Sequence, residues 1–347
     1  MSLRSNSSKG SSISPDGTVN SSGSTSTKTS SRSGIAPSSP AAVKRQANAV
    51  RGPWANVPLP LIASPSQTHD MRHPAIYVAN EMTHEHNAAL RGLNAIFLQA
   101  PHVTDFQDIT DLLFLTQCWG LWVQYYDHFR RTHMFPKFEE AIERPGCILS
   151  QLGGNLDFAP SLTRLLQYVQ QTHPMVETYD PILFQELIKE LGLILQEHLA
   201  TLIFIMTDLP RVCGELESRE AQSKAGKIAQ IYRQLDKEAN DAMDQNIVPP
   251  MLVRMRDTTY EGGNNWPGLS LVAVHTIADR LSKTHAGAWR FLPSDVWGKP
   301  KVLPFLGEDA GKGEGIVPNV KLKPEVLRPK SPKRARQPSM VIEVDGQ

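Results

Sequence analysis

The sequence predicts an all-α fold, an up-down four-helix bundle with an extra outer helix and an irregular C-terminal wrap. Two observations carry this. Amphipathic segments follow one another, with apolar residues recurring at spacings of three and four. That helical period is strong enough to leave no room for a sheet, and no internal repeat suggests a solenoid.

The elements are justified in order. Residues 1–52 are Ser-, Thr- and Gly-rich with little to bury, so they are expected to stay disordered. Pro53, Pro58, Pro60, Pro65 and Pro74 then exclude helix and predict an extended strap over the domain. The first helix is expected from Pro74 to Gln99, with Met82, His86, Leu90, Leu93 and Phe97 on one inward stripe. His84, Asn87, Arg91 and Asn94 share the other face, which is expected to be solvated. A capping box, Thr104 with Gln107, opens a second helix that Phe135-Pro136 should end. A third runs from about Pro160 to Gln171. Asp180 caps a long fourth, with Pro181 at its first position and Phe184, Ile188, Leu191, Leu195, His198, Leu202 and Ile205 in register through to Leu209.

A charged segment over about 215–246 keeps Ala221, Ala225, Ile228, Tyr232, Leu235, Ala239 and Ala242 on one stripe and is placed outside the bundle. Beyond Met251, aromatic, Gly and Pro residues predict a surface wrap with one short helix, Leu271 to Lys283. The domain organisation is therefore a tail over 1–52, a domain over 53–310 with its bundle at about 74–210, and a basic tail over 311–347.

Composition limits the function. A formal charge of +1 argues against whole-molecule attraction to nucleic acid or membrane. No run approaches the ~18 apolar residues of a spanning helix, and the N-terminus lacks the apolar stretch of a secretory signal. It is acid-poor and Ser-rich like a mitochondrial transit peptide, but no amphipathic helix can be drawn through it. Cys118, Cys147 and Cys213 form no CxxC motif or disulfide framework, so a reducing compartment is the default. The expected location is cytoplasmic, or nuclear if the basic run Lys330 to Arg336 acts as an import signal. Ser14-Pro15, Ser39-Pro40, Ser64-Pro65 and Ser331-Pro332 suit proline-directed phosphorylation. There is no GxSxG, HExxH or phosphate-binding glycine loop, so no enzyme class is supported.

Several ordered pieces resemble the fungal hemerythrin-like proteins of the histidine-histidine-glutamate cation-binding group. These are His73-Pro74-Ala75-Ile76-Tyr77 leading into His86-Asn87, Arg91-Gly92-Leu93-Asn94, Gln99-Ala100-Pro101-His102-Val103, Met134-Phe135-Pro136, Tyr260-Glu261-Gly262-Gly263 and His285 through Phe291. The resemblance covers about residues 70–305. It implies a di-iron site with histidines from all four helices and a glutamate four residues after the histidine on the second and fourth. That spacing puts both ligands on one helical face, and the open iron position binds dioxygen or a related small ligand.

Carried over by position, the resemblance leaves only His86 and His198 as remnant ligands. The second-helix pair falls on Tyr126 and Arg130, the third-helix histidine on Asn155, and the last glutamate on Leu202; no histidine lies between His133 and His173. A guanidinium about 5 Å from a divalent ion is repelled by roughly 7 kcal/mol at an effective dielectric of about 20. No cofactor is therefore expected, and the reading is a non-enzymatic binding or scaffold protein with an unidentified protein partner. His86 and His198 then become core histidines, hydrogen-bonded to Tyr126 or backbone. The alternative is an iron protein that binds oxygen or nitric oxide through a rearranged site, with His86, His198 and Asp127 on one ion. On the first reading Tyr126, Arg130, His86 and His198 face one another. A buried Arg130 then needs a carboxylate, with Glu85, Asp127 and Glu197 nearest in sequence, unless its aliphatic stem carries the charge out to water.

Overall fold

The computed structural model describes residues 55–213 and 218–306, except the side chain of Asn155. The tails expected over 1–52 and 311–347, with three of the four Ser-Pro sites and the basic run, lie outside the described residues. The fold is all-α. Among the described residues there is no β-strand, only an isolated bridge between Ser294 and Pro300.

Helix α1 (Pro74–Gln99) lies at the centre. His73 caps it, its Nδ1 accepting from the Ala75 amide at 3.1 Å, with Pro74 preset for the first turn. Most of the helix is buried on every side, because α2 (Phe106–Phe129), α5 (Pro181–Cys213) and α6 (Arg219–Asp241) all pack on it. Trp119 of α2, fully buried, ties its indole N–H to the Ala89 carbonyl at 3.0 Å. Gly92 admits that ring: a Cβ there would lie 2.9 Å from Trp119 Cδ1.

The face of α1 expected to be solvated is not. Asn87 accepts from the Ile62 amide and donates to its carbonyl, both at 2.8 Å, and Asn94 accepts from the Leu59 amide at 3.0 Å while donating to Ala55 O at 2.8 Å and Leu59 O at 3.0 Å. Arg91 donates to Asn56 Oδ1 at 3.0 Å and lies over the Tyr260 ring at 4.8 Å. The physical reason is the strap. An extended proline-rich segment has no ladder partner for its amides and carbonyls, and the two asparagine side chains supply one. Ser64-Pro65 belongs to this strap, so the Ser64 hydroxyl, expected to be open to a kinase, is buried at 2% exposure.

Helix α2 is capped by Asp105, whose Oδ1 accepts from the Gln107 amide at 2.9 Å and the Asp108 amide at 3.3 Å, in place of the predicted Thr104. Phe135-Pro136 does not end this run. A π-helical turn, Arg130–Met134, carries the chain into α3 (Phe135–Ala141), with the Phe135 amide donating to Arg130 O. Pro136 falls at the start of the new helix, where its missing N–H costs nothing.

Helix α4 (Ala159–Thr172) and α5 follow as expected, except that α5 continues through Pro210 to Cys213. Asp180 caps α5 by accepting from the Ile182 amide at 2.9 Å and the Leu183 amide at 3.1 Å. By length and composition α5 could span a membrane, yet half of its most apolar window is buried against neighbouring elements. Helix α6 buries the predicted Ala221, Ala225, Ile228, Tyr232, Leu235 and Ala239 and leaves its charged side outward. The C-terminal wrap comprises α7 (Val248–Met255), α8 (Leu271–Asp279) and α9 (Ala286–Trp289). It is pinned by Gln99 Nε2 donating to Phe291 O at 2.8 Å and by Arg290 against Asp108 and Asp111.

Candidate functional site

Five of the predicted site residues, His86, Tyr126, Arg130, His198 and Leu202, line one cavity. Consecutive residues Glu85 and His86 of α1 are both buried, which is unusual for a helix and follows from α1 being covered all round. Helix α2 brings Trp122, Tyr126 and Asp127, the first residue of the π turn brings Arg130, and α5 brings His198 and Leu202. Together with Phe158 they line a cavity of about 30 Å³. By the usual requirement of roughly 10–15 Å³ per molecule, that is room for a water or two.

Arg130 organises this cavity. Its Nη2 donates to the Glu85 carboxylate, its Nη1 donates to His86 Nε2 at 3.0 Å, and its Cζ stands 5.3 Å from the Tyr126 ring centre. Arg130 is 5% exposed and does not reach out to water. Of the three carboxylates that sequence made its neighbours, Glu85 is the partner. Asp127 is held by Arg131 at 2.9 and 3.0 Å and faces His198, while Glu197 is exposed.

The electrostatics follow from burial. The His86 imidazole is pushed well below its ordinary value by burial, then by the Arg130 charge and by His198. It is thus neutral, with its Nε2 lone pair accepting from Arg130. Burial pushes the Glu85 carboxyl up to about 7, against the pull of Arg130. For the guanidinium, burial is outweighed by Glu85, Tyr232 and Tyr126, and its value rises. Asp127 is also desolvated, but the hydrogen bond to His198 and the Arg131 charge prevail and hold it below the usual carboxylate range.

His198 places Nδ1 3.1 Å from Leu156 O and Nε2 3.4 Å from Asp127 Oδ1, with its ring edge-on to Phe158. The histidines are therefore not bonded to Tyr126, as one reading had it: His86 takes Arg130, and His198 takes backbone and Asp127. Tyr126 donates instead to Asn240 Oδ1 at 3.1 Å, and Asn240 Nδ2 donates to Asp236 O at 2.7 Å. This α6 contribution was missed. The spacing of four in Tyr232, Asp236 and Asn240 could have revealed a polar edge beside the buried stripe.

The residues present do not fit a di-iron pair. The guanidinium already takes the His86 lone pair that a metal would need, and Leu202 puts an apolar side chain where the resemblance implies a carboxylate. Among the described residues no three His, Cys, Asp or Glu side chains are grouped so as to hold a metal ion. Asn155, whose side chain is outside the described residues, precedes the Leu156 carbonyl that orients His198.

No known family profile matches the chain, and no solved structure does. Over 259 residues, 74% of this chain and 92% of the relative, it is 25% identical to the dimeric xanthone biosynthesis cluster protein R11 of Cryptosporiopsis sp. (strain 8999).

Proposed function

We propose that this chain is a hemerythrin-like, up-down four-helix bundle whose metal position has been given over to an internal ion pair, and that it serves fungal secondary metabolism as a non-enzymatic binding or scaffold protein. The observation that carries the reading is Arg130 bridging Glu85 and His86, a cation standing where the resemblance implies a metal ligand. A buried guanidinium that already has both partners gives an incoming cation nothing to bind and a charge to overcome. The small cavity agrees with a structural role, since it admits water and no organic substrate. The relative from a xanthone biosynthesis cluster supplies the setting. A protein partner would meet the surface of the bundle, in the cytoplasm or, through the basic run at 330–336, in the nucleus.

The test is metal content. Protein purified from iron-rich medium should be colourless and hold well under one iron per chain. Tyr126→His, Arg130→Glu, Asn155→His and Leu202→Glu together should raise iron uptake. The second reading, iron bound through a rearranged site, draws on the adjacent Asp127 and His198. Near-stoichiometric iron in the unmodified chain, with an absorption band that responds to oxygen or nitric oxide, would establish it and discard the first.

A further inference from the structure

A second and much larger cleft, of about 410 Å³, opens where α1, the strap and the loop after α7 meet. It is separate from the buried cavity and independent of the function proposed above. Its lining includes Tyr260, Glu261 and Gly263 from the Tyr260-Glu261-Gly262-Gly263 motif, to which the sequence assigned no role. Tyr77, Glu81 and His84 come from α1, Ser64 from the strap, and Tyr260, Glu261 and Trp266 from the loop.

The cleft is held in shape by hydrogen bonds that engage Glu261 and leave Glu81 without a cationic partner. Glu261, at φ 52° in the left-handed region, receives the Ser64 amide at 3.2 and 3.3 Å on its two carboxylate oxygens. Asn80 receives the Ser66 amide at 3.2 Å and is hydrogen-bonded to His84 Nε2 at 3.1 Å, and the His84 ring is stacked toward Trp266. Burial lowers the His84 value, so the ring is neutral. Two carboxylates, Glu81 and Glu261, therefore share the cleft. No Lys or Arg lines it among the described residues, though Arg91, over the Tyr260 ring, acts on Glu261 from outside the lining and leaves Glu81 unanswered. Behind Glu81, Asp236 of α6 adds to the negative field, and with burial it pushes the Glu81 carboxyl up to about 7.

A polar group at the wall of the cleft is also left without a partner. Ser64 is 2% exposed, lines the cleft, and its hydroxyl has no hydrogen-bond partner. Such a group costs stability unless something meets it. The unpaired Glu81 carboxylate in a cleft lined by the aromatic side chains of Tyr77 and Trp266 makes the arrangement that recognises an ammonium group on an apolar body: carboxylate takes its N–H donors and the rings its charge.

We propose that this cleft binds a small organic cation, an amine carried on an aromatic or aliphatic body, with Glu81 and Glu261 facing the ammonium and Trp266 and Tyr77 beside the body. The experiment uses the full chain at pH 8 and three isosteric probes, benzylamine, benzyl alcohol and benzoate, followed by calorimetry. Benzylammonium should bind at least about tenfold more tightly than the neutral alcohol and the anion, a difference calorimetry resolves. Glu81→Gln should reduce that preference severalfold, and its thermal melt shows whether it folds. Equal or tighter binding of benzyl alcohol or benzoate would overturn the proposal. So would the absence of detectable binding by benzylamine at millimolar concentration.

Discussion

Helix α1 serves two polar sites that have opposite fates. Glu85 and His86 turn into a 30 Å³ cavity, where Arg130 takes both of them; Glu81, one turn before Glu85, and His84 line a 410 Å³ cleft where no cation answers Glu81. The difference is one of burial. Around Arg130, where the side chains are buried, an unpaired charge costs several kcal/mol, so they neutralise one another. Glu81 is only half-buried and has no cation beside it, so its carboxyl is held up at about 7 instead. Polar residues on one helix thus act as glue or as a docking site according to what covers them.

The largest effect should come from breaking the glue. Arg130→Ala strands Glu85, and Glu85→Ala strands Arg130; each is expected to destabilise the protein by roughly 3–5 kcal/mol. The double replacement Glu85→Leu with Arg130→Met should cost far less than the sum of the two. Chemical denaturation of all three variants measures this. Additive single losses would mean that the two side chains do not act as a pair.

A smaller loss is expected where α1 holds the strap. Asn94→Ala leaves the Leu59 amide and the carbonyls of Ala55 and Leu59 without partners, at about 1–3 kcal/mol. Proteolysis near residue 60 should accelerate in step, because Leu59 is seated on α5, where a Cβ on Gly192 would meet it at 2.8 Å. Unchanged cleavage would show that other contacts hold the strap.

The smallest effect is a pH dependence that sharpens the contrast. Burial, with Asp236 behind it, raises Glu81 from 4.5 to about 7. Between those values the folded protein keeps a proton that the unfolded chain has released. Its contribution is complete below 4.5, declines as pH rises, and is lost above about 7. Unfolding free energy should therefore fall from pH 5 to pH 7.5, by on the order of 1–3 kcal/mol. Glu81→Gln should remove part of that slope. A flat profile in the unmodified chain would refute the pH assignment.

Much of this was legible in the sequence, and the limits have physical causes. The inward stripes containing His86 and His198 could be read, because apolar spacing reports which side of a helix is dry. The convergence of Tyr126 and Arg130 with them could be read too, as could Glu85 as one of three partners for Arg130. Choosing Glu85 required the structure, since His198 and Arg131 claim Asp127 and Glu197 faces water. The polar face of α1 misled. Asn87 and Asn94 look solvent-facing in a helical projection, and only the strap's need for backbone partners explains their burial. Thr104 was read as the cap because Gln107 follows at the capping-box spacing, whereas the side chain that caps the helix is Asp105.

The π turn at Arg130–Met134 bears on how relatives should be aligned. Such a turn holds one residue more than the α-helical turn it replaces, so it records an insertion that shifts everything after it by one place while leaving what precedes it in phase. Any count that crosses it inherits that shift. Equivalent positions on α2 are best anchored upstream, on Trp119 and Trp122, with a one-residue gap allowed between Arg130 and Met134. Relatives that lack the extra residue would present the positions of Phe135 and Phe138 a step out of phase.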